Sequence, residues 1–397
     1  MLIYLFAFSL SFIFAHLARK SGRSRGNIAF WVFSGLSIFC LVLIAGLRDY
    51  SIGIDVKNYL EFPIYWKGAC ASSSLLEYLK YYLADGNTEV LFALLMGIIA
   101  KTTGAYRVFL FLTHLIIITC IYIGAYRQKK YIHFEFVILF FCLLFFSHSM
   151  NIMRQYIAMS IVFAFFADLE ERKFVRYSVS VLVATLFHTS ALLLFLPMFY
   201  YIILYGWKEP SGTSVERMII KADKSGILRK LTMKDTSFKK KLVLCVCVFI
   251  GEMFLTTVFS FFISKGFLND KYTYYLESDE VSTPIIVSGL LIIELIGVAV
   301  VWKDMRRKYP HASFWVICTF TDLAFQQLSS QMAFGKRIAG SFSLLNMLTL
   351  ALMISSPKKQ DKRLLVGLFV IVFCLMYWGY IYIFRNASQT YPYKFGF

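Results

Sequence analysis

Charge is scarce in this 397-residue chain. Only 16% of its residues are Asp, Glu, Lys or Arg, against about 25% in soluble domains. So few charges cannot cover a water-facing surface, which excludes an ordinary soluble domain.

Other absences narrow the chemistry. No G-x-x-x-x-G-K-[ST] run is present, which argues against ATP hydrolysis by this chain. There is no H-E-x-x-H and no Asp-x-Asp pair to hold a divalent ion on a nucleotide-sugar phosphate. The six histidines are scattered, none at helix-face metal spacing. The expectation is therefore no metal and no cofactor. No repeat of fixed period is visible, which counts against an inverted-repeat transporter. Seven of the eight cysteines fall in apolar runs, where Cys is a small hydrophobe. Cys70 alone sits in an expected outer loop, so no outer disulfide is expected within the chain. Cys245-Val-Cys247 lacks zinc spacing and a second ligand pair. The apolar stretch 2–18 is followed by Arg19 and Lys20 rather than a small-residue cleavage site. It reads as a first span, not a cleaved signal peptide.

What is present is apolar: 59% of the residues are hydrophobic, 18% of the whole chain is aromatic, and the mean hydropathy is +0.66. Membrane-length stretches recur at 2–18, 28–47, 108–126, 133–150, 152–169, 242–263, 285–302, 314–328, 338–354 and 364–384. Helices satisfy their own backbone polar groups in lipid, so the expected fold is an all-α polytopic bundle. Basic clusters at 19–25, 127–130, 172–176, 208–241, 303–308 and 358–363 are assigned to the cytoplasm. Alternation then requires the short apolar run near 88–103 to be re-entrant, and 174–207 to cross twice as two short helices meeting at His188-Thr189-Ser190. About twelve crossings follow, with both termini outside. The whole chain, 1–397, reads as one integral membrane domain with an outer loop at 48–87 and a basic cytoplasmic loop at 208–241.

The net charge of +18 follows from positive-inside loops facing anionic headgroups. The 208–241 loop mixes acids with its bases and has no aromatic interleaving for stacking bases, so nucleic acid is not an expected partner. Membrane lipids are.

Polar residues converge on the expected outer face. Arg48 and Asp55 follow the second span; Asn151, Arg154 and Gln155 open the fifth; His188 interrupts the pair of short helices; Lys336 and Arg337 lie near a later turn. Charges outside oppose the positive-inside bias, and guanidinium forks match phosphate oxygens. Arg48 and Arg385 also suit snorkelling to headgroups, and Asp55 a helix cap. Arg154 is harder to assign to structure alone, because a cation in the first turn of a helix opposes the macrodipole. Glu252, Glu294 and Asp322 form a second, intramembrane acidic set.

The segment L47-R-D-Y-S-I-G-I-D55 followed by Tyr59 resembles the Arg-x-x-x-x-Gly-x-Asp-x-x-x-Tyr pattern of the EpsG family. N-I-M-R-Q-Y-I-A (151–158) and L-F-H-T-S-A-L (186–192) match that family's central motifs in order and spacing. Lys336-Arg337-Ile338 and Tyr391-Pro392-Tyr393 resemble its C-terminal elements more loosely, and Ile54 stands where Thr is usual. The resemblance implies a Wzy-type bacterial inner-membrane protein that polymerises exopolysaccharide, capsule or O-antigen repeats. It would be a metal-independent glycosyltransferase taking an oligosaccharide from undecaprenyl diphosphate, with a chain-length regulator and a flippase as possible partners. An O-antigen ligase and a lipid-linked oligosaccharide flippase are the alternatives. Within it, Arg48, Arg154, Gln155 and Arg337 would bind the diphosphate. His188 would be the base, Asp55 the reserve base, and Tyr59, Tyr65 and Trp66 would stack on sugars.

Overall fold

The computed structural model describes residues 1–22, 27–207, 238–254, 257, 261, 285–330 and 335–396. The fold is all-α. Among the described residues no strand forms, and the isolated antiparallel bridge joins Arg48 to Phe395.

Among the described residues six helices are long and apolar enough to cross a membrane: Leu2–Ser21, Ile28–Gly46, Tyr106–Arg127, Ile285–Lys308, Ile338–Ser355 and Gln360–Phe384. They leave large apolar side chains bare, among them Phe6, Trp31, Phe39, Leu364 and Leu368. Such stripes would aggregate in water but match a lipid surface. Four apolar helices are shorter: Val90–Thr103, Phe134–Ser149, Phe174–Thr185 and Thr189–Tyr205. At about 1.5 Å per residue, the 14 residues of Val90–Thr103 reach roughly 21 Å, short of a hydrocarbon core of about 30 Å. The segment expected near 88–103 is thus a short helix.

Several expectations change in detail. The 48–87 loop is itself helical, with Ile54–Glu61, Gly68–Ala71 and Leu75–Ala84. Ser74 caps the last of these by accepting from the Glu77 N–H at 3.1 Å, and Glu77 accepts from the Ser73 N–H at 2.6 Å. The span 338–354 carries a two-residue turn at Leu344 and Leu345, between the helical stretches Gly335–Ser343 and Asn346–Ser355. The basic loop lies outside the described residues up to 237, after which Phe238–Met253 begins.

The chain packs as two compact units. The first comprises Met1–Ala167, Tyr177–Leu193 and Leu364–Phe397; the second comprises Asp168–Arg176 and Leu194–Arg363.

In the first unit small residues let helices approach closely. Ser11 and Ser37 each donate a hydroxyl to the other's carbonyl at 2.9 Å, joining Leu2–Ser21 to Ile28–Gly46. Gly124 sits so tightly against Phe163 that a Cβ would lie 2.4 Å from its ring. That contact fixes Met153–Phe165 against Tyr106–Arg127. The C-terminal tail straps the unit. Asp49 N–H donates to Lys394 at 2.9 Å, Gly396 N–H to Leu47 at 3.0 Å and Gly53 N–H to Gln389 at 3.1 Å. Tyr4 and Tyr393 add hydroxyl bonds to Thr390 and Ile44 at 2.6 and 2.7 Å. Gly53 has φ +93°, and a Cβ there would stand 3.1 Å from the Met150 carbonyl. Glycine is required at this point of the first motif.

The second unit packs Phe195–Tyr205, Phe238–Met253, Ile285–Lys308, Ala312–Gln326, Gly335–Ser343 and Asn346–Ser355. Basic residues tie its helix ends. Lys308 donates to the Ser355 carbonyl at 2.5 Å, and Lys362 pairs with Asp304 at 3.0 Å.

Candidate active site in the first unit

The polar centre of the first unit is built where two chain segments are stapled together. The helix Phe174–Thr185 ends before His188, whose N–H still reaches the Ala184 carbonyl at 3.0 Å. The Leu91 N–H donates to the Leu186 carbonyl at 3.0 Å, and the Thr88 and Thr189 hydroxyls pair at 3.3 Å. These bonds lay the start of Val90–Thr103 across the break. Glu89, immediately before that helix, is thereby held over His188, with its charge at the positive end of the helix dipole.

Glu89 uses both oxygens. Oε1 lies 2.5 Å from His188 Nδ1, and Oε2 accepts from the Arg154 guanidinium. A carboxylate only accepts, so Nδ1 carries a proton, and in the neutral imidazole this leaves the lone pair on Nε2. That Nε2 is buried and has no hydrogen-bond partner. Arg154 is in the first turn of Met153–Phe165, where a cation opposes the dipole. Here the opposition is compensated three ways: by Glu89, by Nε donating to the Tyr59 hydroxyl at 3.1 Å, and by the rings of Tyr59, Tyr65 and Phe92 at 5.3, 5.5 and 5.7 Å.

The electrostatics are correspondingly strong. Burial pushes the Glu89 carboxyl up, but Arg154 and the His188 hydrogen bond more than reverse this and hold it at about 2. Burial pushes the Tyr59 hydroxyl up to about 12, against the lowering effect of Arg154. Tyr82, fully buried, also has its hydroxyl pushed up by burial; it is electrostatically linked to Arg154 and Glu89, and its oxygen has no partner.

The structure brings together His188, Arg154, Tyr59 and Tyr65. Asp55 is close by: its N–H donates to the Asn151 side chain at 2.7 Å, and its charge acts on Tyr59. Gln155 is buried beside Arg154 on the same helix.

Two expected site residues are buried. Arg48 is 0% exposed and donates to the Ala45 and Met150 carbonyls, the latter at 3.0 Å, with the Met153 sulfur at 3.5 Å. Burial lowers it to about 10, partly offset by Tyr4 and Tyr393. Buried, it braces the turn that launches Arg154. Trp66 is buried, with its ring 6.0 Å from that of Phe109. Tyr59, likewise buried, serves Arg154 with its hydroxyl and ring face. Arg337 lies on Gly335–Ser343 of the second unit, and its side chain, like that of Glu252, is outside the described residues.

Sequence reasoning missed Glu89, Tyr82 and Phe92. The one available signal was an acid directly before an apolar run, at the boundary of a segment read only for topology. Among the described residues no three His, Cys, Asp or Glu side chains are grouped.

The fold and this centre define a multi-pass helical membrane protein with a buried Arg–Glu–His cluster. A family model, that of the EpsG family, matches residues 31–395, nearly the whole chain. The chain belongs to the EpsG family, whose members are Wzy-type polymerases of polysaccharide. No curated protein and no solved structure matches it.

Proposed function

We propose that this chain transfers a growing glycan from undecaprenyl diphosphate to a hydroxyl of an acceptor repeat unit, at the outer face of the bacterial inner membrane. The observation that carries the reading is the Glu89-oriented imidazole with a free Nε2, beside a guanidinium held by the same carboxylate.

His188 Nε2 takes the proton of the acceptor hydroxyl as its oxygen bonds to the anomeric carbon of the donor. The bond from that carbon to the phosphate oxygen breaks, and undecaprenyl diphosphate leaves with the electron pair. Glu89 stabilises the imidazolium that forms. Arg154, released in part from Glu89, pairs with the leaving diphosphate in a water-poor site where such pairing is strong. Arg337 and Gln155 are further candidates for the diphosphate, Asp55 for orienting the acceptor and Tyr65 for stacking on a sugar.

The deciding experiment supplies the purified protein with a synthetic lipid-linked repeat as both donor and acceptor, in the presence of chelator. A ladder of lipid-linked oligomers with release of undecaprenyl diphosphate is expected. Transfer only to lipid A or protein would make it a ligase. Movement of the substrate across the bilayer without a glycosidic bond would make it a flippase.

A further inference from the structure

The second unit holds a polar cluster that the glycan-transfer reading does not use. Glu294 lies within the apolar span Ile285–Lys308 and is 4% exposed, and among the described residues neither carboxyl oxygen has a partner at full hydrogen-bond geometry, the Thr319 hydroxyl interacting with it only loosely. The Asp322 charge and the Thr319 hydroxyl of the adjacent helix Ala312–Gln326 both act on Glu294. Asp322 is 1% exposed and accepts from Gln326 Nε2 at 2.9 Å, Ser343 Oγ at 3.2 Å and Asn346 Nδ2 at 2.6 Å. All three donors are neutral.

Asn346 adds an independent sign. Its Nδ2 is committed to Asp322, so Oδ1 of the same amide stands at the edge of this cluster, buried and without a partner. Turning the amide over would set Oδ1 against the Asp322 carboxyl, so the network fixes its orientation. Among the described residues, three acceptor atoms of the cluster thus lack a well-formed hydrogen bond: two on Glu294 and one on Asn346.

Neighbouring charges do not answer them. Neither carboxyl forms an ion pair with a described residue. The bases of Ile285–Lys308 sit at its far end, where Asp304 takes Arg307 and Lys362. Asn346–Ser355 and Phe195–Tyr205 carry no charged residue, and Phe238–Met253 has its lysines at 239–241, in its first turn. The side chains of Glu252, Lys336 and Arg337 are outside the described residues. Acids at membrane depth are costly unless neutralised.

We propose that Glu294, Asp322 and Asn346 form a membrane-buried site for one monovalent cation, a proton or a sodium ion. A proton on Glu294 removes one charge and supplies one donor. A sodium ion would be met by an all-oxygen ligand set, the kind a hard cation prefers.

The test follows the thermal midpoint of the purified full chain in detergent, in sodium chloride against choline chloride at equal ionic strength and over a range of pH. For a sodium site, the midpoint rises with sodium in the wild type. For a proton site, sodium has no specific effect and stability falls as pH rises, because the folded protein holds a proton that the unfolded chain releases. Glu294→Gln, a neutral isostere with its own donor, should abolish whichever dependence is seen. Identical sodium and pH responses in wild type and Glu294→Gln would overturn the proposal. Should that variant fail to accumulate, infrared difference spectra of the wild type decide. The carbonyl band of a buried carboxylic acid should bleach on adding sodium or raising pH, and a spectrum unchanged by both would equally overturn it. Glycan transfer plays no part in these readouts, so they stand or fall apart from the polymerase reading.

Discussion

Glu89 Oε1 stands 2.5 Å from His188 Nδ1, across 99 residues of sequence, while the other oxygen of the same carboxylate holds Arg154. One side chain thus sets the tautomer of the proposed base and holds the cation beside it. Removing Glu89 therefore disturbs both functions at once, and their kinetic signatures differ.

His188→Ala should lower the rate of polymer formation by roughly 10²–10⁴-fold, the usual contribution of a positioned general base. His188→Gln should be equally poor, because an amide donates a hydrogen bond to phosphate but does not take a proton at neutral pH. Glu89→Gln should also lose kcat, through the freed tautomer, while the unneutralised Arg154 tightens donor binding and lowers KM. Substantial turnover in His188→Gln would pass the base role to Asp55.

Arg154→Ala should abolish polymer and also lower the thermal midpoint, because it leaves the buried Glu89 carboxylate without its cation. Arg154→Lys should be nearly as defective, since an ammonium reproduces neither the fork nor the stacking among Tyr59, Tyr65 and Phe92. Full activity in the Lys variant would reduce the requirement to a point charge.

Stability should depend on Glu89 at low pH. Its carboxyl is held at about 2, below its ordinary 4.5, so the unfolded chain binds the proton first. The contribution is fully present above about 4.5, fades as pH falls, and is gone once pH passes below about 2. It is worth on the order of 3 kcal/mol. Acid unfolding of wild type and Glu89→Gln checks this: the variant should show a shallower loss across that window.

Arg48→Ala should act on folding rather than chemistry. It deletes a buried side chain and its bonds to Ala45 and Met150, a loss of about 2–4 kcal/mol. The expected result is a lower thermal midpoint and protein yield, with KM for the donor unchanged in whatever folds. A raised KM at normal stability would return Arg48 to the diphosphate site.

Topology is tested by reporters. One fused after Arg385 should report the outside, and one within 221–234 the cytoplasm. An outward signal from the 221–234 loop would break the assignment of two crossings to 174–207.

The sequence by itself determined the class. Long apolar stretches without enough charge to face water admit only helices buried in lipid, and their limits at 2–18, 28–47 and 108–126 lie within a few residues of the helices that form. It also singled out Arg154 and His188, because a cation and an imidazole in apolar runs are expensive. The break after Thr185 was legible for the same reason. Glu89 was not, since an acid before a short apolar run reads as a boundary until folding lays it over His188. Nor was the fate of Arg48, which an outer-loop motif makes look like a ligand. Only the tertiary structure decided that the tail covers it, that aromatic rings enclose Arg154, and that Asp322 gathers Ser343 and Asn346 around its carboxylate. All are contacts between residues far apart in sequence, and periodicity, which records only which face of one helix is apolar, carries no information about what that face meets.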